Sequence, residues 1–368
     1  MIAKLDIRSI ESPTATEIYI SATPTKKVSP RMLAEEIFSG ISAQLHSKGA
    51  YILQERIFAT EGAIELICGI RSKAYGDIDD GVAPSLLVGK DGLLGAISGV
   101  HVHAVSGLGR PQVLNLEQTP CGRILIAPGL KYLTLSGVSA RRFTQPTEQA
   151  KTMLEKAESA LKQFGGDFLS VARTWMWLSD ILSWYGDFNR VRNDFFTERG
   201  VIGEGTGQSM PASTGIGLGH VGGNCAMDMV AVLEPANSIQ YLQAVGKQQC
   251  AFEYGSAFSR AARAVTPAGE TVFVSGTASI DASGATTHIA DAPGQIEATI
   301  ENVRAVLRDM NAADEDVVQV MAYCKTTDIE KIFNGLKNDL PWPWITSICD
   351  ICRPDLLFEI EATAIPRN

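Results

Sequence analysis

Apolar positions recur along this chain at two periods, and the switching between them divides it into segments. After the turn-like pair Ser29-Pro30, Leu33, Ile37, Ile41 and Leu45 fall on one face at spacings of four, which predicts an amphipathic helix over Met32 to His46. The run Tyr51 to Phe58 that follows reads as a strand. A second series opens with a strand around Tyr132-Leu-Thr-Leu-Ser136-Gly137 and continues in an acidic, Ala-rich helix from about Thr147 to Phe164. It returns as a strand from Phe168 to Trp177. Ser179 to Phe196 mixes aromatic and charged residues in a helical pattern, and beyond a glycine-rich stretch Ala226 to Leu233 forms a closing strand.

The same order recurs after residue 250, and this repetition organises the chain. Val274-Ser275-Gly276 echoes Leu135-Ser136-Gly137, and the helix predicted for Pro293 to Met310 echoes the one from Thr147. Lys325-Thr326-Thr327 echoes Arg173-Thr174-Trp175, and Glu359 in the last strand echoes Asp228. Two similar α+β units therefore stand in tandem, and the opening strand, helix and strand read as a third, more diverged copy. The expected units are 1–125, 126–240 and 241–368.

Composition narrows the function classes. The formal charge of −9 is spread without long blocks of one sign, which argues against a partner held by its phosphate backbone, so nucleic acid is not expected. The uncharged run Gly92 to Gly109 is broken by Gly95, Gly99 and Gly107 and carries His101 and His103, so no membrane partner is expected either. Lys4, Asp6 and Arg8 occupy the place of an apolar signal core. Seven cysteines form no dense framework, and the odd count leaves at least one thiol unpaired, which points to a reducing cytoplasm. Cys349-Asp-Ile-Cys352 is a lone pair without a matching histidine spacing, so no metal is expected. Gly217-Leu-Gly-His-Val-Gly222 spells a dinucleotide fingerprint but lies between a turn and a strand, where it reads as a loop or a mobile cover over a pocket.

The repeated motifs resemble those of the Rid (YjgF, reactive intermediate deaminase) superfamily. Phe258-Ser259-Arg260-Ala261, Val274-Ser275-Gly276, Gly294-Gln295-Ile296, Lys325-Thr326-Thr327 and Glu359-Ile360-Glu361-Ala362 carry the resemblance, with Pro211-Ala212-Ser213-Thr214 as a turn of the preceding copy. Such proteins are single units that trimerise, so the resemblance implies a trimer fused into one monomeric chain, a pseudo-trimer of chorismate-mutase-like α+β units. Where the deaminases carry a carboxylate-binding arginine, fifteen residues before the closing acid, this chain has Trp344, and the same count from Asp228 gives Ser213. Plain imine hydrolysis is therefore not expected. The stretches Trp184-Tyr185-Gly-Asp-Phe-Asn189-Arg190 and Cys352-Arg-Pro-Asp-Leu-Leu-Phe-Glu359 are similar to those of the chorismatases, enzymes that release pyruvate from chorismate without a cofactor.

Chorismate has two carboxylates and an enol ether whose methylene carbon can be protonated, so its conversion asks for one acid and cationic clamps. The resemblance makes Glu359 the acid, and its flanking Phe358 and Ile360 provide the desolvation that keeps a carboxyl protonated. It places Cys352 beside the acid, as in members that make 3-hydroxybenzoate, whereas Ala261 after Phe-Ser-Arg is similar to the members that hydrolyse chorismate to a dihydroxydiene acid. A mixture of hydroxybenzoates, or a non-catalytic binding module, are the other readings. Arg260, Arg173, Arg142 and Arg192 are the candidate carboxylate ligands, because a guanidinium binds carboxylate bidentately. Tyr185, Ser213 and Thr214 supply hydroxyls for the substrate. The Arg-Val-Arg spacing ending at Arg192 is also that of a solvated helix face, and Glu359 alternating with Glu361 is also the pattern of a solvated strand face.

Overall fold

The computed structural model describes residues 1–203, 209–245 and 248–367. The first six-stranded sheet is built from β1 (Ala3–Glu11), β2 (Thr16–Pro24), β3 (Tyr51–Ala59), β4 (Ser85–Val88) and β5 (Ile97–Ser106), with α1 (Pro30–Lys48) and α2 (Glu61–Tyr75) on one face. The second contains β6 (Gln112–Leu116), β7 (Thr119–Ala127), β8 (Leu130–Ser139), β9 (Val171–Leu178), β10 (Ala212–Ile216) and β12 (Cys225–Glu234), with α3 (Pro146–Lys162) and α4 (Ile181–Glu198). Between β10 and β12 the short β11 (Gly219–His220) leaves its own sheet and becomes the sixth strand of the first, against β4. The third sheet has β13 (Gln240–Leu242), β14 (Ala261–Thr266), β15 (Gly269–Ala278), β16 (Val317–Cys324), β17 (Trp344–Ile348) and β18 (Phe358–Ala364), with α5 (Ala292–Asp309) and α6 (Thr327–Leu336).

The repeat is explicit in the topology. In each sheet the strand after the first long helix pairs antiparallel with the closing strand and parallel with the next short one: β3 with β5 and β4, β9 with β12 and β10, β16 with β18 and β17. The opening segment is thus the third copy that the sequence implied. The hairpin of β6 and β7, which the expected boundary at 125/126 cuts, hydrogen-bonds to β8 in the second sheet.

Local chemistry explains where elements start and stop. Helix α1 begins at Ser29, whose side chain accepts from the Met32 amide, has Pro30 in its first turn, and ends at Gly49 with φ +55, a conformation that costs glycine little. Its Leu33, Ile37, Ile41 and Leu45 are all buried against the first sheet. Strand β9 reads Val-Ala-Arg-Thr-Trp-Met-Trp-Leu and is buried at every position, as expected of a strand covered on both faces.

Each sheet covers its helices with one face and turns the other toward a shared core. Phe58 and Leu87 of the first sheet, Trp175 and Trp177 of the second, and Phe273, Met321 and Tyr323 of the third meet there. Three sheets facing one core leave three clefts between them, one at each junction.

Candidate active site

The second and third sheets are stitched at their edges. The Ser213 amide donates to Ser275 Oγ (2.8 Å) and the Ser259 amide to the Pro211 carbonyl (3.2 Å), while within the second sheet Thr174 Oγ1 donates to Ser213 Oγ (2.9 Å). These bonds hold β10 and α4 of one unit against β14, β15 and β18 of the next. In the cleft so formed Tyr185, Arg192 and Ser213 face Ser256, Arg260, Cys352, Arg353 and Glu359.

Glu359 lies at the centre. Its residue is 4% exposed, which excludes the solvated-strand alternative, and its carboxyl accepts no hydrogen bond among the described residues. Burial raises its pKa to about 8, reinforced by the neighbouring Glu361 and opposed by Arg173 and Arg353. It therefore holds its proton at neutral pH. Gly276 on β15 makes the room: a Cβ there would collide with the Glu359 carboxyl and come within 3.2 Å of Thr214 Cγ2.

Cationic and hydroxyl groups surround this acid. Arg260 is 1% exposed and donates through Nε (3.0 Å) and Nη2 (2.7 Å) to the Gln249 carbonyl, its guanidinium 5.6 Å from the Phe258 ring. Arg192 is also 1% exposed; it donates to Asn189 Oδ1 (2.7 Å) and sits 5.4 Å from the Phe188 ring, so its helical spacing marks an inward face of α4 and not a solvated one. Tyr185 stacks on Phe188 with Ser256 in the same cleft, and burial pushes its phenol up to about 12. Burial, with Glu359 beside it, pushes the Cys352 thiol up to about 12 as well, so the sulfur stays protonated at neutral pH. The cavity at the carboxyl measures about 50 Å³, enough for water but well below the few hundred Å³ of a small-molecule site.

Other expected residues lie elsewhere. Arg173 points to the axis where the three sheets meet: it pairs with Glu361 (2.8 Å) and donates to Thr214 Oγ1 (2.5 Å), while Trp175 Nε1 donates to the other Glu361 oxygen (2.9 Å). Arg173 and Thr214 thus brace the wall behind the acid. Ala261 follows Arg260 on β14, and strand alternation sends its methyl to the opposite face, into the α5 core with Val272, Val274 and Ile296. Arg142 lines a different cleft, between the first and second sheets. The loop Gly217 to Gly222 is no cover over Glu359: Gly217 donates to the Asp350 carbonyl (2.8 Å), and His220 lies in β11 beside that other cleft.

Two sequence echoes are also corrected by register. Asp228 and Glu361, not Glu359, are equivalent: each stands opposite a two-residue bulge in the neighbouring strand, Ser136-Gly137 of β8 and Ser275-Gly276 of β15. Glu359, opposite Ala278 and Tyr323, corresponds to Ala226, opposite Ser139 and Trp177. Lys325-Thr326-Thr327 lies past the end of β16, where Thr326 caps α6 by accepting from the Ile329 amide, whereas Arg173 to Trp175 are mid-strand. Sequence reasoning missed Arg353 and Ser256. Arg353 was visible only as the residue after Cys352.

A family model described as Endoribonuclease L-PSP matches residues 251–366. Among solved structures, a chorismatase determined at 1.08 Å is similar over 99% of this chain and 99% of its own, with 18% identity and a TM-score of 0.63. Shorter structures match single units: the yeast protein YEO7 (19% identity, 35% of this chain and 100% of its own, TM-score 0.29) and NMB1025, a YjgF-family member from Neisseria meningitidis (16% identity, 35% and 96%, TM-score 0.26). Compared by sequence with curated proteins, the chain matches none. From end to end, then, the chain has the fold of a chorismatase, three Rid-like units in tandem, of which the last matches the L-PSP family model.

Proposed function

We propose that the chain converts chorismate at the Glu359 cleft, releasing pyruvate and 3-hydroxybenzoate. The observation that carries this reading is the buried carboxyl, protonated up to a pH of about 8, among three arginines, Arg192, Arg260 and Arg353. Glu359 would deliver its proton to the methylene carbon of the enol ether, leaving an oxocarbenium ion. The arginines would hold the two carboxylates, and Tyr185 a ring hydroxyl. The ring 4-hydroxyl would then attack the oxocarbenium carbon, its proton returning to Glu359. Breaking its C4–O bond with loss of the C3 proton aromatises the ring. The resulting hemiketal collapses to 3-hydroxybenzoate, which keeps the C3 oxygen, and pyruvate, whose ketone oxygen comes from the 4-hydroxyl, so that all atoms are conserved and no water is consumed. A protonated Cys352 can shape the ring pocket or donate weakly, but does not attack as a thiolate. That protonation state favours, as second reading, water as the nucleophile, which gives trans-3,4-dihydroxycyclohexa-1,5-diene carboxylate and pyruvate.

A ten-carbon diacid exceeds the cavity present, so binding requires the covering segments, Ala251 to Phe258 and Cys352 to Leu356, to move apart. Incubating the purified protein with chorismate, following pyruvate enzymatically and identifying the second product by mass and NMR, tests the reading. Turnover is expected, with kcat reduced by at least about 10² in Glu359→Gln, the usual magnitude for losing a general acid. Binding of chorismate without pyruvate release would make the chain a binding module instead.

A further inference from the structure

The junction between the first and second sheets holds a cleft of about 540 Å³. It is the counterpart of the Glu359 cleft by strand register: Gly137 stands where Gly276 stands, Cys121 where Arg260 does, and Ala226 where Glu359 does. Arg141, two residues beyond β8, takes the place of Ile280, two residues beyond β15. The substitutions move the cations from the floor to the mouth and remove the acid.

The remaining chemistry is specific. Arg141, Arg142 and Lys156 line the cleft against a single acid, Glu117, which is already paired with Lys156 (2.9 Å). Pro84, Leu86, Val138 and Val221 provide an apolar wall. On the floor His220 accepts the Gly222 amide at Nδ1 (2.8 Å), which puts the ring proton on Nε2, and burial lowers its pKa to about 4, so the ring is neutral. Nε2 lies over Gly137, φ +59, where a Cβ would meet it at 2.8 Å. Two exposed guanidinia, an apolar wall and a neutral N–H donor match a small acid with a ring. The third junction offers no comparable space: Trp344 and Glu330 occupy it, Glu330 accepting from the Leu93 amide (2.8 Å) and Thr346 Oγ1 (2.9 Å), and about 100 Å³ is left.

We propose that the cleft between the first and second sheets is a second binding site, which takes a small ring-bearing carboxylate at Arg141 and Arg142 and does not turn it over. With Ala226 in place of the carboxyl, the site has no acid to protonate a ligand. The assignment stands on this cleft alone and does not depend on what Glu359 does.

The test titrates 3-hydroxybenzoate into the full chain by calorimetry, in the native protein, in Arg260→Ala, and in two variants of the new cleft: the double change Arg141→Glu with Arg142→Glu, and Val221→Trp. All three positions are exposed, so the fold should tolerate the changes. Binding that persists in Arg260→Ala and weakens at least tenfold in both cleft variants is the expected result. Binding lost in Arg260→Ala but unchanged in the cleft variants overturns the proposal, as does no binding at all. Pyruvate release from chorismate, measured separately, reports on the Glu359 reading, so either can fail without the other.

Discussion

At the scale of single residues, the geometry singles out one proton. Because burial holds the Glu359 pKa near 8, its acid form persists through neutrality, and kcat/KM should stay level up to about pH 8 and then fall about tenfold per unit. A pH–rate profile with no limb near 8, or with the same limb in Glu359→Gln, would assign the proton elsewhere. The linked effect on stability has the opposite use. The folded pKa lies above the unfolded value of about 4.3, so the contribution is fully present below that value and is lost as pH rises through about 8. Glu359→Gln, which has no proton to lose, should gain in Tm relative to the parent between pH 5 and 9. Product choice belongs to this scale as well. Ala261 lies on the wrong face of β14 to make room for water, which leaves Cys352 as the neighbour that differs. Cys352→Ala should keep releasing pyruvate but shift product toward the dihydroxydiene acid, read by incorporation of ¹⁸O from labelled water. An unchanged ratio would make the thiol mere packing. The motifs of the resemblance named Glu359, Arg260 and Tyr185, and the structure brings these three, from stretches far apart in sequence, into one cleft. The same motifs misplaced Arg173, whose partner Glu361 is 188 positions away in sequence and invisible to any local pattern.

At the scale of elements, periodicity located helices and strands far better than it located register. α1 and α5 match their predicted spans to within about two residues, since four-residue spacing and capping signals are local properties. The closing strands were matched wrongly, Glu359 with Asp228, because register is set by pairing with strands far away in sequence: Ser136-Gly137 of β8 bulges opposite Asp228, and Ser275-Gly276 of β15 opposite Glu361. Glu359 and Glu361, two residues apart, share one face of β18: Glu361 meets Arg173 and Trp175 at the axis while Glu359 enters the cleft. Access to that cleft is also a property of elements. The segment Ala251 to Phe258 carries no strand, whereas β14 after it is locked to β15 at every position. Amides of that segment should therefore exchange fast in the free protein and be slowed by bound chorismate or a non-reactive analogue, with β14 unchanged, as read by mass spectrometry. Protection confined to Ala83–Leu86 and Ser136–Ala140 instead would put the ligand in the other cleft.

At the scale of the whole molecule, three units have diverged in chemistry while keeping one arrangement. At the Glu359 position a carboxyl stands only in the third closing strand; the corresponding residues are Ala226 and, opposite Phe58, Gly99. Fusing the units lets each junction change alone, so one carries an acid, one carries cations, and one is filled by Trp344. The common core binds the three together. Phe273, Met321, Tyr323 and Ile345 of the third sheet are buried by Phe58 and Leu87 of the first and by Trp175 and Trp177 of the second. Polar ties cross the same junctions, among them Glu17 of β2, which accepts from Thr266 Oγ1 (2.7 Å) and the Ala268 amide (2.9 Å). A fragment of residues 245–368 would expose that sheet face and leave Glu359 open to water, since the wall from Tyr185 to Thr214 belongs to the second unit. It should assemble into oligomers or aggregate, and the pKa of its Glu359 should return toward the ordinary carboxylate range. A fragment that sediments as a monomer, melts cooperatively and still titrates a carboxyl near pH 8 would show that the third unit makes its own core and its own acid, and that the other two merely surround it.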